Sequence, residues 1–172
     1  ESISSESMLN VGSRAFEDCT ALSSISFSGT ADLTLGENVF QNCQKLKSVK
    51  IDQPVTVANG INNLFANDFS LEEIYLPTLG FTGTDDTLHK MFGANFADPK
   101  TYSLRKLTLG YVSAISDNFS KNMTALESLT ILDLSNTYVG ESAFENCYKL
   151  ASIETPNSMK SIGVCAFSGC TE

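Results

Sequence analysis

The sequence predicts an α/β solenoid of about seven rungs, right-handed, with a parallel β-sheet along one face and short turns or single helical turns along the other. Three observations predict it. Phenylalanine recurs at Phe16, Phe40, Phe65, Phe92, Phe119, Phe144 and Phe167, at steps of 23 to 27 residues. An apolar-x-apolar ending follows these positions with the period of two of a strand that buries one face. No segment carries a long run of clean helical period, so the return arms are expected to be short. A strand every 25 residues or so has nothing to bury its apolar face against except its repeat neighbours, so the repeats must stack. Parallel neighbours about 4.8 Å apart give a coil on the order of 30 Å long, and crossovers to parallel strands are right-handed.

Composition narrows the function. The chain has 172 residues, of which 42% are hydrophobic and 18% charged, and a net charge of -9. That is enough apolar material for one domain, and the acidic balance disfavours nucleic acid, whose binding rests on cationic side chains. No apolar run approaches the roughly 18 residues that span a bilayer, so direct membrane insertion of this segment is not expected. No secretory signal pattern opens the chain. It starts at Glu1 without an initiator Met, and residues 1–172 read as a single repeat domain, expected to be a fragment of a larger protein. The last repeat reads as truncated, stopping at Cys170-Thr171-Glu172 before a closing strand.

The elements follow from aligning on the Phe. Strand endings read Leu22/Ile25/Phe27, Leu46/Val49/Ile51, Leu71/Ile74/Leu76, Leu104/Leu107/Leu109, Leu126/Leu129/Ile131 and Leu150/Ile153. Three residues after each Phe stands Cys19, Cys43, Asp68, Asn95, Asn122, Cys147 or Cys170. The fourth and fifth copies fit only with longer loops, in Ala97 to Ser103 and near Met123. Ahead of the Phe, Val11-Gly12, Leu35-Gly36, Val139-Gly140 and Ile162-Gly163 suggest tight turns in which glycine takes a positive φ.

The pattern apolar-Gly-x-x-Ala-Phe-x-x-Cys-x-x-Leu-x-x-Ile resembles the BspA-like leucine-rich repeat family, most closely at Val11-Gly12-Ser13-Arg14-Ala15-Phe16-Glu17-Asp18-Cys19-Thr20-Ala21-Leu22-Ser23-Ser24-Ile25. The resemblance covers nearly the whole chain. It implies a leucine-rich repeat solenoid from a larger surface protein of a host-associated microbe, extracellular or at the cell surface. Members of the family look like adhesins that bind host matrix or surface proteins. It brings no catalytic residues and names no ligand.

Residue chemistry offers little against this. The five Cys contain no C-x-x-C pair; four of them share the column that also takes Asp or Asn, which reads as a buried turn whose small polar group bonds backbone amides of the adjacent rung. Cys165 lies outside that column and reads as a surface thiol. His89 is the only imidazole and is expected on a solvated turn. Asp85-Asp86 with Thr84 and Thr87 supply too few oxygens for calcium, and Asn118-Phe119-Ser120 and Asn122-Met123-Thr124 are weak as glycan acceptors. No enzyme activity, catalytic site, metal or cofactor is expected.

What remains is the outward face of the sheet, where alternate residues of each strand stand in rows. The central row reads Ser26, Lys50, Tyr75, Thr108, Thr130 and Glu154; the row beside it reads Ser24, Ser48, Glu73, Lys106, Ser128 and Ser152. Solenoids bind through extended faces of this kind. The expected function is a non-catalytic, adhesion-type module that binds a protein partner through Lys50, Tyr75, Lys106, Thr108, Thr130 and Glu154, with Tyr75 as the aromatic anchor. The alternatives are a structural spacer that projects another domain and, further off, glycan binding by Tyr75 with the loop residues Tyr102, Tyr111 and Tyr138.

Overall fold

Each expected strand ending becomes a strand of one parallel sheet. In the computed structural model, which describes residues 1–57, 63–81, 88–93, 102–112, 114–134, 138–155 and 159–172, these strands are β3 (Ser24–Ser28), β5 (Ser48–Asp52), β7 (Glu73–Phe81), β8 (Lys106–Val112), β9 (Ser128–Leu134) and β11 (Ser152–Glu154). A seventh, β1 (Ser2–Ser5), pairs with β3 ahead of them. Its single buried-face isoleucine, Ile3, is too short a signal to read without the neighbour it stacks on. The sheet order is β1-β3-β5-β7-β8-β9-β11, parallel throughout. The result is a leucine-rich-repeat-like parallel solenoid of about five turns with few helices, an end strand standing at each side.

The return arms carry short parallel ladders. The apolar residues before the glycines form β2 (Asn10–Val11), β4 (Leu33–Leu35) and β6 (Val55–Val57) in one sheet, and β10 (Tyr138–Val139) with β12 (Ser161–Ile162) in another. The described helix, α1, is the single turn Leu88–Phe92. Phe27, Phe40, Phe65, Phe92, Phe119 and Phe144 are fully buried. Phe16, Phe40 and Phe65 stack at 5.6 and 5.5 Å with interplanar angles of 2° and 11°; Phe144 and Phe167 stack at 5.1 Å and 11°. Offset stacking of this kind adds to the burial of the rings.

Three expectations change. First, the fifth repeat is registered one residue later than its Phe suggests. Phe40 N donates to Leu64 O and Phe144 N to Ala166 O, but in the fifth repeat the residue in this role is Ser120, whose N donates to Ala143 O. The six-residue spacing to Leu126 is thereby restored without an insertion near Met123, and Met123 rather than Asn122 takes the cysteine column. Phe119 remains buried but meets Phe144 edge-on at 62°.

Second, the glycines before the Phe are not left-handed; the described glycines with positive φ are Gly29, Gly93 and Gly169. Gly36, Gly140 and Gly163 are needed because a Cβ there would strike the backbone of the rung before, at Ser13, Asp117 and Glu141. The left-handed positions belong instead to side chains that tolerate them, chiefly Asp18, Asn42, Asn67, Asn122 and Asn146, at φ of 60° to 65°. Their amides link rung to rung: Asn67 Nδ2 donates to Asn42 Oδ1 at 2.8 Å, Asn42 Nδ2 to Asp18 Oδ1 at 2.9 Å, and Asn146 Nδ2 to Asn122 Oδ1 at 2.8 Å.

Third, the thiols bond carbonyls as well as the expected amides, the backbone N–H groups of Cys19, Met123 and Cys147 on the rung before bonding to Cys43, Cys147 and Cys170. Cys43 Sγ donates to Phe16 O and Cys147 Sγ to Ser120 O, each at 3.0 Å. A thiol is also a donor suited to the carbonyls of the rung before, and Asp68 accepts the amide at the equivalent place, from Cys43 N at 2.7 Å. Burial pushes the Cys43 thiol up to about 12 and that of Cys147 to about 11, so both stay protonated donors. Cys165 is exposed and outside the column, as expected.

Candidate partner-binding face

Strand parity and pairing build the face from the residues upward. Inward residues of β3, β5 and β7 (Ile25, Phe27, Val49, Ile51, Ile74 and Leu76) are buried, so their neighbours in sequence point out. The pairing register joins Ser4 to Ser26, Ser26 to Lys50, Lys50 to Tyr75, Tyr75 to Thr108, Thr108 to Thr130 and Thr130 to Glu154. The neighbouring row runs Ser2, Ser24, Ser48, Glu73, Lys106, Ser128 and Ser152 in the same way. Lys50, Tyr75, Lys106, Thr108, Thr130 and Glu154 are therefore brought onto one face, with Ser2 and Ser4 as additions from the strand the sequence did not reveal.

Two direct contacts tie the central row. The Lys50 ammonium stands 5.4 Å from the centroid of the Tyr75 ring, a cation–π contact within the range that attracts. Thr130 Oγ1 donates to Glu154 Oε2 at 3.4 Å. Lys50, Lys106 and Glu154 are exposed, whereas Tyr75, Thr108 and Thr130 are half-buried between their neighbours.

A third row, at the start of the strands, was not anticipated. Lys47 pairs with Glu72 at 3.1 Å, and Arg105 grips Glu127 with Nε to Oε1 at 2.8 Å and Nη2 to Oε2 at 3.0 Å. Backbone bonds from Glu72 N to Lys47 O, Arg105 N to Glu72 O and Glu127 N to Arg105 O stack these four at one repeat position. The charges alternate in sign along the coil, and Glu127 holds the Arg105 guanidinium above its ordinary value. Exposed pairs of this kind contribute little stability; they fix charge placement beside the face. The alternation at the residue after each Leu was readable in the sequence once the repeats were aligned. Glu72, Glu73, Arg105 and Lys106 together line a shallow depression at this border.

Other candidates fall elsewhere. His89 is half-buried on α1, not solvated, and its Nε2 lies 3.0 Å from Lys121 O on the next repeat; burial lowers its pKa, with the Lys121 carbonyl opposing. Tyr102 is buried against Phe92 and Phe69, with its hydroxyl donating to Phe92 O at 3.3 Å, so it offers no stacking platform to a sugar. Tyr138 is exposed on β10, away from the sheet face. Asn118 is exposed and Asn122 half-buried in the amide ladder. Asp85, Asp86, Asn95 and the side chain of Tyr111 lie outside the described residues. Among the described residues no group of three His, Cys, Asp or Glu could hold a metal ion, and no helix is long and apolar enough to cross a membrane.

Comparison with known proteins agrees with this architecture. The model of the BspA type leucine rich repeat region matches residues 1–88 and 96–172, in 6 copies. Among solved structures, the chain is similar to the T. pallidum leucine rich repeat protein, with a TM-score of 0.56 and 19% identity over 99% of this chain and 76% of that one. No curated protein matches. The fold and family support a protein-interaction or structural repeat module, in a family typically non-catalytic and typically surface or extracellular. On the extent of the repeat match and the solenoid it describes, the chain belongs to the BspA-type leucine-rich repeat family.

Proposed function

We propose that this chain is a non-catalytic, adhesion-type module at the cell surface or outside the cell of a host-associated microbe, binding a protein partner through the outward face of its sheet. The coil is taken as right-handed with about seven rungs, following the handedness of parallel crossovers. The observation that carries the reading is the unbroken central row, Ser4 to Glu154, with Tyr75 held beneath the Lys50 ammonium at its centre. A half-buried tyrosine flanked by Lys50, Lys106 and Thr108 is the kind of rigid amphipathic anchor on which protein interfaces concentrate their energy. A host matrix or surface protein is the expected partner class. The spacer reading is supported by the alternating Lys47, Glu72, Arg105 and Glu127 row, whose charges are satisfied within the coil.

The test is a binding screen of the purified, folded chain against matrix proteins, other host surface proteins and a glycan panel, at physiological and high salt, with Tyr75→Ala alongside. A protein hit weakened at least tenfold by Tyr75→Ala supports the reading, since truncating an anchor removes about 2 kcal/mol or more. Unchanged affinity in the variant removes Tyr75 as the anchor, and no hit from the folded chain favours the spacer.

A further inference from the structure

In the column three residues beyond the Phe position, three cysteines donate hydrogen bonds to the rung before. Cys43 Sγ donates to Phe16 O at 3.0 Å, Cys147 Sγ to Ser120 O at 3.0 Å and Cys170 Sγ to Phe144 O at 3.3 Å. The acceptor in each case is the carbonyl of the preceding rung's Phe position. Asp68 occupies this place one rung beyond Cys43, so its repeat-equivalent acceptor is the Phe40 carbonyl.

Asp68 is fully buried. One oxygen, Oδ1, accepts the amide N–H of Cys43 at 2.7 Å; the other, Oδ2, has no hydrogen-bond partner among the described residues. As a carboxylate, Asp68 would set that oxygen bare in an apolar interior, where an unpaired charge is costly. As an acid, it has the one O–H that the column uses. The titratable groups that face it are the Cys43 thiol on the rung before and the Tyr102 phenol beyond it. Both are raised by burial, neither supplies a positive charge, and Asp68 forms no ion pair among the described residues.

We propose that Asp68 is carried in the folded chain as the neutral carboxylic acid, donating its proton to the Phe40 carbonyl in place of a thiol, and that this joint between repeats tightens on acidification. The strand that follows Asp68 is β7, which carries Tyr75, so the tightened joint lies in the turn that leads into the central strand of the sheet face. Burial pushes the Asp68 carboxyl up to about 8 from 3.8, the Cys43 amide opposing. The folded state therefore binds one proton more than the unfolded state between those two values. Stability is fully present below the unfolded value and is lost as pH rises through the window to about 8, by up to tenfold in the folding equilibrium per pH unit. Above that both states are ionised and the dependence ends.

The test is urea unfolding of the wild-type chain, Asp68→Asn and Asp68→Cys between about pH 5 and pH 8, with infrared spectra of the wild type near pH 7, where exposed carboxyls are ionised. The wild-type folding constant should fall by close to tenfold per pH unit relative to either variant. The amide of Asn keeps both a donor and an acceptor, and Cys restores the column. A protonated-carboxyl band should be present in the wild type and missing from the variants. Parallel pH profiles, or no such band in the wild type, would overturn the proposal; the infrared reading stands even if one variant does not fold.

Discussion

The Lys50 ammonium and the Tyr75 ring meet at 5.4 Å on adjacent strands, at the centre of the row that faces outward. At an exposed site such a contact contributes about 0.5–1 kcal/mol. A double-mutant cycle of Lys50→Ala and Tyr75→Phe against the native pair should give no coupling, because phenylalanine keeps the π face, whereas Lys50→Ala with Tyr75→Ser should give coupling in that range. Denaturant unfolding measures both, and equal coupling in the two cycles would mean that the ring face is not what holds the ammonium.

Phe40 lies between the parallel rings of Phe16 and Phe65 and is fully buried. Phe40→Ala should therefore destabilise by about 3–5 kcal/mol, while Lys50→Ala should stay within about 0.5 kcal/mol apart from its share of the cation–π contact. Comparable losses in melting experiments on the two variants would contradict the stacked interior.

Two glycines at the same repeat position should behave differently. A Cβ at Gly140 would strike the Asp117 backbone, but nothing lies within 4 Å of one at Gly12. Gly140→Ala should destabilise by about 1–3 kcal/mol as an overpacking change, and Gly12→Ala should be neutral. Equal thermal shifts would point to a conformational need shared by both, which their φ angles do not show.

His89 gives a pH dependence opposite in sign to that of Asp68. Its folded pKa lies below 6.5 because burial disfavours the imidazolium. The unfolded state therefore takes up the proton first, and the stability His89 contributes is present above 6.5 and declines as pH falls below it. Relative to the wild type, His89→Gln should be less sensitive between about pH 6.5 and pH 5 in urea titrations. A wild type that gains stability from His89 over that range would mean that the ring is protonated in the fold.

Much of the architecture was legible because its signals are local. The period of two in Leu22/Ile25/Phe27 and its copies reports which face of each strand is buried, so the outward residues Lys50, Tyr75, Lys106, Thr108, Thr130 and Glu154 could be placed in rows from spacing alone. The recurrence of Phe supplied the stacking direction. What spacing could not supply is the partner of each group across a rung, because that neighbour lies about 24 residues away in sequence and under 5 Å away in space. Only the stacked structure decided that Ser120, not Phe119, holds the fifth repeat's place; that Gly36 and Gly140 answer to the backbone beneath them; and that the thiols donate to carbonyls. It also decided that Asp68 closes the same column with one oxygen left over. The sequence by itself determined the repeat and the faces of its strands; the tertiary structure decided which donor meets which acceptor, because hydrogen bonds and close contacts depend on where successive rungs come to rest against each other.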